Sequence, residues 1–573
     1  MKRFFSLLIA VLMLVTLVAC AATPTAPSES ENDKTTEESA CEHVYNAVVT
    51  PPTEEAEGYT THTCTLCGES YVDTYVEKIA RFQIQYDDYI PSFGSVSASS
   101  KTAVLSGDAL EIVTVDGTPY FHAKGIGEVT LTDGQKIQNI TVTKAKINLV
   151  LVMGQSNSVA WSESAANFLF EDALSDISSP IGTAYHWGKK STEPRNYTEA
   201  TRGFHSTLLA ELYAQSVAAG DPVKNVLIWE NEMTSHSGQS ITRWASETAA
   251  TQVTVDIADM VKKCAKYYTT NEQYYEIVSR GMYWLQGEID GSSQTPNHTT
   301  MSPETYENCF MKMWNKLKTG TGLSYVAFLR VRRDVAENQW PTDAPDHNDI
   351  CYHTAFAAQL KMIADRDNFY LATTLTEHWV GTEATEHTID ISNYITLMNK
   401  YSGGTRFEDQ YQNVATYADG KLTTTMKELY GSNNGCHYGK FGYTLIGADA
   451  AYNMYRALHG EKFAIVQGDD SGSTEAQTVA QAGEQKVITV TNPDLCLAFR
   501  AAPGSTAGKL TITVKEDERD ISSQVIVTAG ASMGTLNTYQ LLGRENLTIT
   551  VTYTAKNGTV GSVTYTINDQ RPQ

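Results

Sequence analysis

Between Ile147 and Leu458 short, β-branched apolar runs alternate with helical segments, and this alternation constrains the fold more than any other feature of the chain. The strand candidates are Ile147–Met153, Val223–Trp229, Gly281–Leu285, Tyr325–Val331 and Phe369–Ala372. The helical candidates are Thr207–Ala219, Glu247–Tyr267, Pro303–Lys318, Ala355–Ala364 and Tyr443–Leu458. Strands this apolar are buried on both faces, and strands joined through helices pair in parallel. The pattern therefore predicts an α/β domain over residues 147–460, with a parallel sheet between helices. In that architecture chemistry collects at the carboxyl ends of the strands. The first strand runs straight into Gly154-Gln155-Ser156-Asn157, a denser set of polar groups than a plain turn needs.

The flanks read differently. From Arg81 to Lys144 come "ALEIVTV" (Ala109–Val115), "GEVTLT" (Gly127–Thr132) and "KIQNITVTK" (Lys136–Lys144), punctuated by Gly and Asp with no helical period. They predict a β-rich domain over residues 80–146. Beyond Gly460, "KVITVTN", "KLTITVK", "SQVIVTA", "NLTITVTYT" and "SVTYTIN" alternate apolar and polar residues, which predicts a β-sandwich over residues 461–573. Such a domain either holds sugar or acts as a spacer. Several domains are expected of 573 residues. The net charge of −23 argues against nucleic acid and against a polybasic membrane-surface binder.

The N-terminus has the pattern of an export signal: Lys2 and Arg3, then an apolar run from Phe4 to Val18. The run ends in Leu17-Val18-Ala19-Cys20, which resembles the lipobox of bacterial lipoproteins. That resemblance implies a signal peptide over residues 1–20, lipid on Cys20, and an extracellular protein anchored to the cell membrane. Residues 21–40, rich in Ser, Thr, Glu and Pro, read as a disordered tether that would hold the folded part roughly 25 Å from the bilayer.

Nine cysteines are too few and too scattered for a disulfide-stapled scaffold of this length. Three cluster in Cys41-Glu-His43 and His62-Thr-Cys64-Thr-Leu-Cys67-Gly68. Three thiolates and an imidazole fit a structural zinc held by Cys41, His43, Cys64 and Cys67. His62 is the alternative to His43, and a Cys41–Cys64 or Cys41–Cys67 disulfide is the alternative to the metal. The segment 41–79 resembles short Cys/His modules of secreted proteins from Gram-positive bacteria, which implies a surface module without catalysis.

Taken alone, Gly154-Gln155-Ser156-Asn157 is weak evidence, because Ser156 could simply cap a helix. Four further blocks follow it in order. They are "GFHSTLLAELYA" from Gly203, "HSGQSITRW" from His236 to Trp244, "WLQGEID" from Trp284 to Asp290, and "NNGCHYGKFGYTLIG", which sets His437 ahead of a helix. With these blocks, Ile147 to Leu458 resembles the SGNH-hydrolase superfamily, in particular its sialate O-acetylesterase and acetylxylan esterase group (carbohydrate esterase family six and relatives). "PETYENCFMKMWNKLK" resembles the helix that follows the Gln-Gly-Glu block in that group.

The resemblance implies a flavodoxin-like, three-layer catalytic domain flanked by small all-β domains. It also implies a serine hydrolase that removes acetyl groups from extracellular glycans through an acetyl-serine intermediate, with no cofactor for catalysis. Ester hydrolysis needs a nucleophile, a base that returns the proton to the leaving alcohol, and donors facing the developing oxyanion. Ser156 would be the nucleophile and His437 the base. The Ser156 and Gly203 N–H groups and the Gln286 side chain would face the oxyanion, with Gln155 beside the substrate and Asn157, Glu288 and Asp290 in support. Two acids at i and i+2 are poorly placed to flank one glycosidic bond, which argues against a glycosidase. Trp161, Trp187 and Trp244 are candidates either for sugar-facing aromatics or for the core.

The sequence departs from the family at one position. Where the group carries the Asp of an Asp-x-x-His motif, this chain has Asn434. An amide orients an imidazole but gives imidazolium no counter-charge; in a serine-protease triad the corresponding Asp→Asn change lowers kcat about 10⁴-fold. Three readings stay open: another carboxylate reaches His437, the pair acts as a dyad, or the scaffold has lost catalysis and binds glycan at the cell surface.

Overall fold

The apolar run around Leu149 is the centre of a seven-stranded sheet. In chain order its strands are β1 (Ala145–Gly154), β2 (Ala184–Trp187), β3 (Arg195–Asn196), β4 (Lys224–Ile228), β5 (Tyr275–Leu285), β6 (Tyr325–Leu329) and β7 (Phe369–Thr373). They lie side by side as β3-β2-β4-β1-β5-β6-β7. Every neighbouring pair is parallel except β2–β3 at one edge. The chain leaves β1 towards β4 and later returns to β5 on its other side. The carboxyl end of β1 is thus a topological switch point, the place where open α/β sheets generally bind ligands.

The computed structural model describes residues 41–159, 182–197, 204–231, 233–246, 252–291, 301–329, 366–373, 375–379, 383–391, 414–430 and 437–459, and the helical positions 355, 358–359 and 362–363. Beyond these it describes 465–468, 474–477, 484–490, 496–500, 508–522, 527–529, 533–537, 541, 544–555 and 560–569. The export signal, Cys20, the tether, Trp161, Gly203 and Asn434 lie outside the described residues. Two compact units divide the chain, one ending at Lys78 and the other beginning at Ile79.

Side chains of the central strands alternate between two cores, as the pleat requires. Leu149, Leu151 and Met153 join Trp284 and Phe328 on one face, packed with Ile257 and Val261 of α2 (Val253–Thr270) and Phe310 and Trp314 of α3 (Pro303–Lys318). Val150 and Val152 join Tyr283 and Leu285 on the other, packed with Leu208 and Leu212 of α1 (His205–Ala218) and Tyr443 and Ile446 of α4 (Lys440–Leu458). Each fully buried side chain of this kind contributes about 1.5–3 kcal/mol. Helices on both faces explain why β1 is apolar from Leu149 to Met153. At its waist the sheet carries one polar pair, in which Asn148 Nδ2 donates to Asn225 Oδ1 at 2.9 Å.

The approach of α4 to α1 depends on Gly447. A Cβ there would lie 2.1 Å from Thr207 Oγ1 and 2.4 Å from the Phe204 carbonyl oxygen. α3 starts where Ser302 Oγ accepts the Thr305 N–H at 3.1 Å with Pro303 behind it, a standard N-terminal cap.

The elements differ from expectation in informative places. β5 begins at Tyr275 rather than Gly281, because Tyr275 to Ile277 pair with the start of β1. The edge strands β2 and β3 went unpredicted, being four and two residues long among Gly, Pro and Ser. A three-stranded sheet of Glu386–Asp390, Ala415–Ala418 and Lys421–Thr425 was also not anticipated. The helix expected at Ala355–Ala364 falls largely outside the described residues.

Ahead of β1, a four-stranded sheet (Ala80–Gln85, Ala103–Ser106, Gly127–Asp133, Lys136–Thr143) shares a core of Phe93, Phe121, Leu131 and Ile140 with a three-stranded one. Polar contacts tie it to the α/β sheet. Lys224 Nζ, 1% exposed, meets Asp88 Oδ1 at 2.7 Å, and the Tyr185 hydroxyl donates to Asp87 Oδ2 at 2.6 Å. Beyond residue 464, a five-stranded and a three-stranded sheet share Ile488, Phe499, Leu510, Leu536 and Val551 as a core. Among the described residues no helix is long and apolar enough to cross a membrane.

Candidate active site

β1 stops at Gly154 because nothing larger fits there. Its φ is +151°, and a Cβ would lie 1.9 Å from the Leu285 carbonyl oxygen. The backbone turns at this point: Gly154 N donates to Thr234 O at 3.1 Å, and Gln155 N donates to Leu285 O at 3.1 Å. His236 N closes the far side by donating to Gly154 O at 2.9 Å. Loops following β4 and β5 therefore clamp the residue before Gln155. Ser156 opens a short helical turn, Ser156–Val159, with 8% of its surface exposed. Ser158 holds this turn from below, its hydroxyl donating to Gln155 O at 2.7 Å and lying 2.8 Å from Ser235 Oγ. Trp229 Nε1 donates to the same Ser235 oxygen at 3.1 Å.

His205 supports the turn from α1. Its Nε2 lies 3.0 Å from the Ser158 carbonyl oxygen, to which the neutral ring donates. Burial disfavours the charged ring and pushes its pKa down to about 4. At neutral pH His205 is therefore an uncharged structural donor.

Asn157 binds three parts of the chain. Its Nδ2 donates to Glu288 Oε1 at 2.8 Å, while its Oδ1 accepts from the Tyr443 hydroxyl at 3.0 Å and from Tyr438 N at 3.4 Å. Asn157 follows Ser156 and Tyr438 follows His437, so this amide brings the two candidate catalytic positions together across 281 residues of sequence. Among the described residues no hydrogen bond links Ser156 Oγ directly to His437.

Gln286 is fully buried, and its amide is committed. Nε2 donates to Asp290 Oδ2 at 2.5 Å and to Gln239 O at 3.2 Å, and Oε1 accepts from the Tyr306 hydroxyl at 2.8 Å. Both of its N–H hydrogens are taken, so in this geometry the side chain holds loops together and offers no donor to an oxyanion. Gln359 Nε2 fixes the Gln286 carbonyl at 2.9 Å. Asp290 Oδ2 also accepts Ile241 N at 2.8 Å, joining the 236–244 block to the 284–290 block. Gln155 Oε1 accepts Ile289 N at 3.4 Å. Glu288 and Asp290 thus point to different partners, one towards Asn157 and the other towards Gln286.

Gln155, Ser156, Asn157, Gln286, Glu288, Asp290 and His437 are gathered at the carboxyl end of the sheet, while Gly203 and Asn434 lie outside the described residues. Trp187 and Trp244, at 2% and 0% exposure, are core side chains and face no sugar. Residue-by-residue reading missed Tyr306, Gln359, Ser158, Ser235 and His205. The first was signalled only as a polar group within the apolar stripe of α3.

In the unit that ends at Lys78, the Sγ atoms of Cys41, Cys64 and Cys67 and a ring nitrogen of His43 lie within 4.8 Å of one another. His62 is elsewhere, its Nε2 2.8 Å from Asp73 Oδ1 and its ring stacked on Tyr71.

No protein-family model matches the chain, and no curated protein matches it. Among solved structures it is similar to NanS, with 11% identity and a TM-score of 0.32 over 55% of this chain and 98% of that one. A "putative GDSL-like lipase" from Parabacteroides merdae gives 11% identity and a TM-score of 0.26 over the same shares. Likeness at this level carries no weight for function, and the geometry described above has to stand by itself.

Proposed function

We propose that the α/β part of the chain, folded as a three-layer SGNH domain, is a serine esterase that removes acetyl groups from carbohydrate hydroxyls. The observation that carries this reading is the Asn157 bridge, because it brings the neighbours of a strand-end serine and a distant histidine into contact at a switch point. In the proposed reaction Ser156 Oγ attacks the acetyl carbonyl while its proton passes to the His437 ring. Collapse of the tetrahedral intermediate breaks the bond to the sugar oxygen, which takes that proton and leaves as the alcohol. Water, giving a proton to His437, then attacks the acetyl carbon; the bond to Ser156 Oγ breaks, the serine oxygen takes the proton back from His437, and acetate leaves. The Ser156 and Gly203 N–H groups are the proposed oxyanion donors; each such donor is worth about 2.7–4 kcal/mol. Gln286 is given a supporting part, because its N–H groups are occupied.

Ser156→Ala tests the proposal. Turnover of a chromogenic acetyl ester should fall to background while the melting temperature stays within about a degree, and persistent turnover would refute it. Acetate release from a panel of acetylated polysaccharides would then define the substrate. Asn434, where the family has Asp, favours a second reading: a weak or inactive scaffold that binds glycan. Absent ester turnover with retained glycan binding would establish that one. We further propose that lipid on Cys20 anchors the protein outside the cell, which mass analysis of the mature N-terminus would decide.

A further inference from the structure

The strands Tyr45–Thr50, Gly58–Cys64 and Ser70–Val76 form a sheet that lacks a core. Only Gly58 and Cys64 of these strand residues are buried. Val44, Val49 and Tyr75 stand 58%, 70% and 66% exposed. Below roughly 40 residues, burial alone rarely holds a fold, and a disulfide or metal takes over. Something other than hydrophobic burial must therefore close this module.

Four side chains at its end gather their ligand atoms within 4.8 Å of one another, and two of the distances match the edges of a tetrahedral site. Cys41 Sγ and Cys64 Sγ are 3.7 Å apart, and Cys67 Sγ is 3.4 Å from His43 Nδ1. Four ligands at ordinary zinc bond lengths define tetrahedron edges of about 3.8 Å between sulfurs and about 3.6 Å between sulfur and nitrogen. A disulfide instead needs its sulfurs about 2.05 Å apart. No disulfide joins Cys41, Cys64 or Cys67 in this geometry.

The backbone is shaped for this arrangement. Gly68, at φ +80°, lets the chain fold back so that its N–H donates to Cys64 O at 3.0 Å. Leu66 N donates to Cys64 Sγ at 3.4 Å, a bond that stabilises a thiolate. Thr65 N donates to Val44 O at 2.8 Å, which brings the Cys41–His43 arm against the turn. His43 turns Nδ1 towards the sulfurs while its Nε2 meets Glu69 Oε2 at 3.2 Å, the carboxylate partner that commonly orients a metal-bound imidazole.

We propose that Cys41, His43, Cys64 and Cys67 bind one zinc ion in a closed, structural site, and that this ion folds residues 41–78. Binding forms three Zn–S bonds and one Zn–N bond and releases the thiol protons to solvent. The proposal is independent of the esterase reading.

The test uses the full, untagged chain purified without chelator. Metal analysis should give one zinc per chain, and cobalt exchanged into the site should show thiolate charge-transfer and tetrahedral bands. In competition with a chromophoric chelator, His43→Ala should weaken zinc at least about 10-fold and Glu69→Gln by a comparable factor, while His62→Ala leaves it unchanged. Chelation should open residues 41–78 to protease without altering ester turnover. The proposal is overturned by a metal-free chain with Cys41 in a disulfide, by zinc lost on His62→Ala but kept on His43→Ala, or by equal protease protection with and without metal. Cobalt spectra of the unaltered chain keep the proposal testable even if a variant fails to fold.

Discussion

Replacing Asn157 tests whether nucleophile and base are held by one amide. Its side chain is 2% exposed and makes three hydrogen bonds. Asn157→Ala would remove the hydrogen bonds to the Tyr443 hydroxyl and to Glu288, worth about 0.5–1.5 kcal/mol for a neutral pair and about 1.5–3 kcal/mol for one to a charged group. The longer bond to Tyr438 N adds little to that sum. A loss of roughly 3 kcal/mol follows, or about 9 °C in the α/β unfolding transition at roughly 2–4 °C per kcal/mol. The catalytic effect is separate: a reacting group displaced by about 1 Å costs on the order of 10²-fold in rate. The loss should fall on kcat, because in the proposed mechanism Asn157 orients the groups that meet the acetyl carbon.

Asn157→Asp refines the test, since it preserves both acceptor contacts but sets a carboxylate against Glu288, 2.8 Å from the present amide. Two charges that close repel by about 6 kcal/mol at an effective dielectric of 20, which disfavours ionising both carboxyls at once. A proton held between the two carboxyls restores the bond, and its loss as pH rises opens the bridge. The variant should therefore gain an alkaline limb in its pH–rate profile that the parent lacks. Steady-state kinetics from pH 5 to 9, with calorimetry alongside, would measure both effects. A parent-like profile for Asn157→Asp, together with kcat for Asn157→Ala within about threefold of the parent, would refute the bridge.

Two further outcomes are expected. Because burial holds the His205 pKa near 4 against about 6.5 unfolded, the unfolded chain binds the extra proton between these values, and stability is lost as pH falls through that window; the loss is about 3 kcal/mol, and His205→Gln, which keeps an N–H for Ser158 O, should flatten it in urea titrations. Asn434→Asp should raise kcat by well under the roughly 10⁴ that separates Asp from Asn in a serine-protease triad, and an unchanged rate would assign the support of His437 to another side chain.

The sheet was legible because β1, β4 and β6 are buried on both faces, and a run such as Leu149 to Met153 has no alternative use. The edge strands were not, since two to four residues carry no period and Ala184–Trp187 becomes a strand only by pairing with β4. Within the site the blocks around Ser156, Gln286 and His437 could be read as motifs. Their wiring could not: what Gln286 does is decided by Tyr306 and Gln359, 20 and 73 positions away. Spacing left His43 and His62 equivalent, and strand register separates them. Tyr45 pairs with Cys64, so His43 falls beyond the strand end beside the turn, whereas His62 pairs within the sheet and meets Asp73.

The direction of the carboxylates settles more than their number. Glu288 and Asp290 open one helical turn, yet they serve opposite sides of it: Asp290 takes N–H groups from Ile241 and Gln286, and Glu288 takes the Asn157 amide. Both acids are thus engaged as acceptors between loops, which is the reverse of two carboxyls facing each other across one glycosidic bond. The consequence reaches Ser156. Its turn is fixed to the loop after β4 through Gly154 and Ser235, to the loop after β5 through Gln155 and Asn157, and to the start of α4 through Tyr438 and Tyr443. Three loops that meet on one turn share its geometry. Under the proposed mechanism, disturbing any of them shifts Ser156 against His437, so damage at Ile241, Asp290 or Tyr443 should fall on kcat ahead of KM.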